Sequence, residues 1–155
     1  MQGLAKNAAV QHTPFARLPD HSPRAFDEFG AGYLPGLLGL EMVSNEPTQL
    51  VCRAEIRQQV MAPHGYVHGG TLVAIADTLC GYGAITHLPE GATGFVTIEL
   101  HTNFLGSARS GALRCTATPV HLGRSTQVWD AVVSDEASGR TLAMFRCTQM
   151  VLRDR

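Results

Sequence analysis

A chain of 155 residues with 45% hydrophobic and 16% charged residues has the apolar surface to fold as one domain and too little length for two, which excludes a disordered segment. Its formal net charge of −1 supplies no field that would gather nucleic acid or an anionic membrane, so any anion must be met locally. Lys6 is the only lysine, and the arginines that carry the rest of the positive charge have forks suited to phosphate, although a compositional bias toward Arg would look the same. The four cysteines, Cys52, Cys80, Cys115 and Cys147, are far apart and form no CxxC pair. They are expected as small buried hydrophobes in a reducing compartment. Asn7, Gln11, His12 and Pro14 interrupt any apolar run near the start, so neither a leader nor a membrane span is expected and the cytoplasm is the expected location.

Residues 1–22, polar and broken by Pro14 and Pro19, are expected to form a flexible N-terminal arm, with the folded domain spanning 23–155. Arg24 to Phe29 suits a short helix ended by Gly30 and Gly32, and a first strand is expected at Leu37–Val43 after a Pro35-Gly36 turn. From Gln49 to Gln58, Leu50, Cys52, Ala54 and Ile56 alternate with Val51, Arg53, Glu55 and Arg57, the period of a half-buried strand. Met61 to Gly70 carries one Pro and three Gly, which requires a shaped loop. Thr71 to about His87 is too long for a strand and apolar on nearly every side, so it is expected as a buried helix. Four strands follow at Gly94–Phe104, Ala112–His121, Thr126–Ser134 and Thr141–Leu152, separated by Gly- and Ser-containing turns. The pattern predicts an α+β fold, an antiparallel six-stranded sheet wrapped around one long central helix.

Asp77 interrupts the most apolar segment of the chain, sharing a helical face with Val73, Ala74, Cys80 and Gly81. An unpaired buried carboxylate is costly, so Asp77 either meets an internal partner, such as Thr71, a loop N–H or an Arg, or lines a pocket. Gly81, Gly83, Ala74 and Ala84 leave room for the second arrangement, in which a partly desolvated carboxylate acts as base or nucleophile. The loop His64-Gly-Tyr-Val-His68-Gly69-Gly70 leads directly into the helix. Its last N–H groups lie where a helix leaves donors free, suited to an oxyanion formed in acyl transfer. His64 and His68 stand four apart, but Pro63, Gly65 and Gly69 deny them the helix a zinc pair needs, so no metal is expected. No serine lies in a G-x-S-x-G elbow.

His68-Gly-Gly70 with Ala76-Asp77, the small-residue run Cys80-Gly-Tyr-Gly-Ala84 and the strand Thr97-Ile-Glu-Leu-His-Thr-Asn-Phe104 together resemble the phenylacetate-degradation type of hotdog-fold acyl-CoA thioesterase. The resemblance covers about residues 35 to 152. It implies a hotdog fold, Asp77 as the catalytic carboxylate and the Gly69 N–H as the group that polarises the thioester carbonyl. That family usually places an Asn or Gln in the preceding loop, where this chain has Ala62 and His64; His64 is the candidate for that role, or the role is unfilled. His68, Gly70 and Gly81 are expected to line the substrate, and the turn Gly123-Arg124-Ser125 to contact the CoA nucleotide. The resemblance further implies a homo-oligomer, a dimer or a dimer of dimers, with the site between subunits and no cofactor. Two rivals stay open: a non-catalytic acyl-CoA binding module, and a hydratase or dehydratase that uses His68 as base.

Overall fold

The computed structural model describes Leu18 and residues 20–154, so the expected arm lies almost wholly outside the described residues. Its last residues belong to a helix cap: the Ser22 hydroxyl accepts the Ala25 N–H at 3.2 Å and starts α1 (Pro23–Gly30). Pro23 fits there because the first helical turn has no use for its missing N–H.

A second helix, α2 (Leu34–Leu38), stands where a turn and the start of a strand were expected. Pro35 sits in its first turn, and Gly39, left-handed at φ +68°, ends it by donating its N–H to the Gly36 carbonyl. The Arg57 guanidinium holds the free Leu37 carbonyl at 2.6 Å. The first strand is thereby displaced to β1 (Leu40–Glu46). β2 (Gln49–Glu55) follows and stops short of Gln58, because Gln58–Val60 turns as a 3₁₀ segment. The central helix α3 spans Gly69–Thr86, two residues earlier at its start than the apolar pattern indicated. β3 (Gly94–Phe104), β4 (Ala112–Leu122), β5 (Thr126–Asp135) and β6 (Thr141–Leu152) complete the chain.

The six strands form one antiparallel sheet in the order β1-β2-β4-β5-β6-β3, which places β1 and β3 at the two edges. The sheet wraps α3, whose Leu72, Ile75, Ala76, Leu79 and Cys80 are buried against Cys115, Trp129, Leu142 and Cys147. Two helix glycines exist for this packing. A Cβ on Gly83 would meet the Trp129 ring at 2.6 Å and one on Gly81 the Phe95 ring at 3.0 Å. Filling the Gly83 site would cost about 1–3 kcal/mol of overpacking. All four cysteines are free and buried, as their spacing indicated. No helix among the described residues is long and apolar enough to cross a membrane.

Candidate active site

The loop before α3 is a small closed structure. Met61 and Val67 bridge, Ala62 donates to the Tyr66 carbonyl at 2.8 Å, and Gly65 takes the left-handed φ of +83° that the tight turn requires. Val67 and His68 tie it to the body through the carbonyls of Ala108 and Val60. His68 is the N-cap of α3: its Nδ1 accepts the Gly70 N–H at 2.8 Å, which leaves the hydrogen of the neutral ring on Nε2. The Thr71 and Leu72 N–H groups donate to the His68 carbonyl. Of the four donors at this helix start, only the Gly69 N–H finds no acceptor among the described residues. The exposed ring of Phe104 stands beside it, 3.2 Å from where a Cβ on Gly69 would lie.

Asp77 is half-buried on α3, and its Oδ1 accepts the Thr97 hydroxyl of β3 at 3.1 Å. Desolvation pushes its carboxyl above the usual carboxylate range, while the Thr97 hydrogen bond opposes that rise. Thr71, the partner considered from sequence, donates instead to the Val60 carbonyl. At 1.5 Å per residue, Gly69 and Asp77 are separated by about 12 Å along the helix axis. β3 runs along α3 between them, with Phe95 beside Gly81, Thr97 beside Asp77 and Phe104 beside Gly69. The space next to Gly81 is therefore filled by Phe95, and Gly83 is covered by Trp129, whereas Val73 and Ala74 stay half-buried on the Asp77 face.

The remaining candidates are spread over the surface. His64 is exposed and meets Tyr66 edge-on at 5.6 Å; Tyr66 in turn carries the Arg109 guanidinium over its ring at 4.1 Å. Gly70 has already committed its N–H to His68. The turn Gly123-Arg124-Ser125 is clasped by Gly123 N–H to the Thr126 carbonyl, Val151 N–H to the Ser125 carbonyl and Arg153 Nη2 to the Arg124 carbonyl, leaving the Arg124 side chain exposed. Thr97, Gln149 and Gln127 form one cross-strand row; strand spacing and rise put Arg124 roughly 14 Å from Thr97. No group of three His, Cys, Asp or Glu among the described residues is placed to hold a metal. Sequence reasoning missed Thr97 as a partner of Asp77. Nothing local marks it, because the contact depends on which strand closes the sheet beside α3.

Comparison with known proteins gives this arrangement a context. Residues 64–142 match the thioesterase superfamily. The chain is 35% identical over 118 residues to a 1,4-dihydroxy-2-naphthoyl-CoA hydrolase of Listeria monocytogenes, covering 76% of this chain and 94% of that protein. A protein of the same name from Escherichia coli is 30% identical over 128 residues, 83% of this chain and 93% of the relative. Among solved structures, a mutant of thioesterase PA1618 from Pseudomonas aeruginosa superposes with a TM-score of 0.80 at 26% identity, covering 90% of this chain and 99% of that one.

Proposed function

The chain belongs to the thioesterase superfamily, with the hotdog architecture of a six-stranded antiparallel sheet around a long helix, and on that premise we propose that it hydrolyses an acyl-CoA thioester to a free acid and CoA. The observation that carries the reading is a half-buried, hydrogen-bonded Asp77 on a helix whose first N–H, that of Gly69, has no acceptor among the described residues. One is a base or nucleophile; the other is a donor for a carbonyl oxygen as it becomes an oxyanion.

The two groups lie about 12 Å apart on one helix, too far for a single carbonyl to meet both. A second copy of the chain, joined along the open β3 edge, would bring Gly69 of one protomer opposite Asp77 of its partner. His64, in the loop that leads into Gly69, would orient the water from the same side. In direct attack, Asp77 takes a proton from water as the water oxygen bonds to the acyl carbon; in the covalent route, the Asp77 carboxylate bonds to the acyl carbon and water then cleaves that anhydride, releasing the acid and restoring Asp77. The C–S bond breaks and the CoA thiolate leaves, to be protonated. Arg124 is exposed in the turn with Gly123 and Ser125, and its guanidinium would meet the CoA phosphates there. His68 is engaged as a cap through Nδ1, which favours hydrolysis over a dehydratase that needs that ring as its base.

The two curated relatives named as hydrolases of 1,4-dihydroxy-2-naphthoyl-CoA favour an aromatic acyl group. Free-thiol release across aromatic and aliphatic acyl-CoAs tests reaction and substrate class together. Turnover greatest on aromatic thioesters is expected; release from none of them would leave an acyl-CoA binding module.

A further inference from the structure

The Asp77 carboxylate has one protein partner among the described residues, and that partner comes from the sheet. Thr97 donates to Oδ1 at 3.1 Å, and no other described donor reaches the carboxylate. The next position on the same helical face, Gly81, has no side chain to offer, and the adjacent space holds the Phe95 ring. The one grip on the carboxylate among the described residues therefore comes from β3.

β3 is shaped for it. Register passes from Thr97 opposite Gln149 to Glu99 opposite Thr148, so Ile98 is an extra residue immediately after Thr97. A bulge of this kind bends the strand and re-aims the neighbouring side chain. Thr97 is also β-branched, which restricts χ1 and limits the directions its hydroxyl can take. Its cross-strand neighbour Gln149 is fully buried, and its amide makes no hydrogen bond to any described group. Gln149 therefore does not draw the Thr97 hydroxyl away from Asp77.

We propose that Thr97 is a positioning residue of the hydrolytic site, holding Oδ1 of Asp77 so that Oδ2 stays directed at the thioester carbonyl or the attacking water. This rests on the reading of Asp77 as the reacting carboxylate. The groups packed around Asp77 leave Thr97 as the one that tunes it. Cys80 on α3 is a buried thiol pushed well above its usual range, and Cys147 of β6 lies against it. Glu99 and His101 of β3 face the other side of the sheet, where they line a cleft with Asp130 and Arg146. Without the Thr97 hydroxyl, desolvation of Asp77 acts unopposed, so the acid limb of turnover moves to higher pH.

The test compares Thr97→Val, Thr97→Ala, Thr97→Ser and Asp77→Asn with the parent enzyme on 1,4-dihydroxy-2-naphthoyl-CoA, measuring kcat, KM and the pH profile. Thr97→Val and Thr97→Ala are expected to lower kcat by about tenfold or more with KM changed by less than about twofold. Their acid limb should rise by about half a pH unit or more. Thr97→Ser, which restores the donor, should return both toward the parent. A folded Val or Ala variant with the parent kcat and acid limb, alongside an inactive Asp77→Asn, would overturn the role of Thr97 and leave Asp77 in place. An Asp77→Asn enzyme at the parent rate would instead overturn the reading on which the inference rests.

Discussion

β1 and β3 close the two ends of the same sheet, and each has an aspartate beside it. β1 is seven residues long, is bulged between Met42 and Ser44, and is covered by its own chain. Asp27 of α1 accepts the outward Met42 N–H at 2.8 Å, and Asn45 reaches the His21 carbonyl and the Thr86 hydroxyl. β3 is eleven residues long and has no such cover among the described residues; Val96, Ile98, Leu100 and Phe104 are all at least 40% exposed. A long apolar edge of this kind is a template for pairing. Burial raises both carboxyls above the usual range. Asp27 spends its charge on a backbone donor that would otherwise be orphaned, whereas Asp77 receives one hydroxyl and faces a half-open surface. The same residue type thus closes an edge in one place and leaves a reactive group in the other.

Charging the two edges should separate them most sharply. Ile98→Lys in β3 is expected to turn the proposed dimer into monomers in sedimentation and to cut turnover by about tenfold or more, while Val43→Lys in β1 should change neither. A dimer that survives Ile98→Lys with full activity would remove β3 from the interface.

Stability should divide the two aspartates. Asp27→Ala orphans the Met42 N–H and should cost about 1–3 kcal/mol, seen as a lower Tm with the kinetics of the folded fraction unchanged. Burial disfavours the ionised form of both carboxyls, but Asp27 covers a backbone N–H that its removal would orphan, and no such donor among the described residues depends on Asp77. Its folded pKa is raised, so its contribution is favourable below the ordinary carboxylate value and is lost as pH rises through the folded value, leaving the ionised form destabilising at neutral pH. Asp77→Asn should therefore raise Tm, by about a few degrees, while abolishing most turnover. A fall in Tm with turnover preserved would make Asp77 a structural partner like Asp27.

The smallest effect is expected at Arg124, which lies away from both edges. Arg124→Ala should raise KM for CoA thioesters by about tenfold or less and leave short N-acetylcysteamine thioesters unaffected, because these lack the phosphates. Equal losses for both substrates would take Arg124 out of the binding site.

What the sequence disclosed follows the range of the forces involved. β3 and β6 were legible to the residue because alternation is a local signal and Gly or Ser turns bound them. α3 was legible because so long an apolar run cannot be a strand, and Asp77 stood out against it. α2 was hidden because Pro35-Gly36 looks locally like a turn; the left-handed Gly39 and the Arg57 contact to Leu37, twenty residues away, decide for helix. The open space inferred from Gly81 and Gly83 is filled by Phe95 and Trp129, and Thr97 reaches Asp77, only once strand order is set. A single chain's sequence carries no local trace of that order.

A site shared between protomers can be tested directly by mixing two inactive variants. Asp77→Asn removes the carboxylate. Gly69→Pro removes the N–H at the first residue of α3, where proline is favoured and where the preceding His68, at φ −70° and ψ 136°, already has the extended backbone that proline demands. Each variant alone should fold, dimerise and lose on the order of a hundredfold or more in turnover. After subunit exchange, half of the dimers would contain one chain of each kind, and each of these would hold one intact Asp77–Gly69 pair. Recovery of about a quarter of the parent activity is the result a shared, two-fold related site predicts. If exchange is shown by mass and activity stays at the level of the separate variants, Asp77 and Gly69 do not act across the interface.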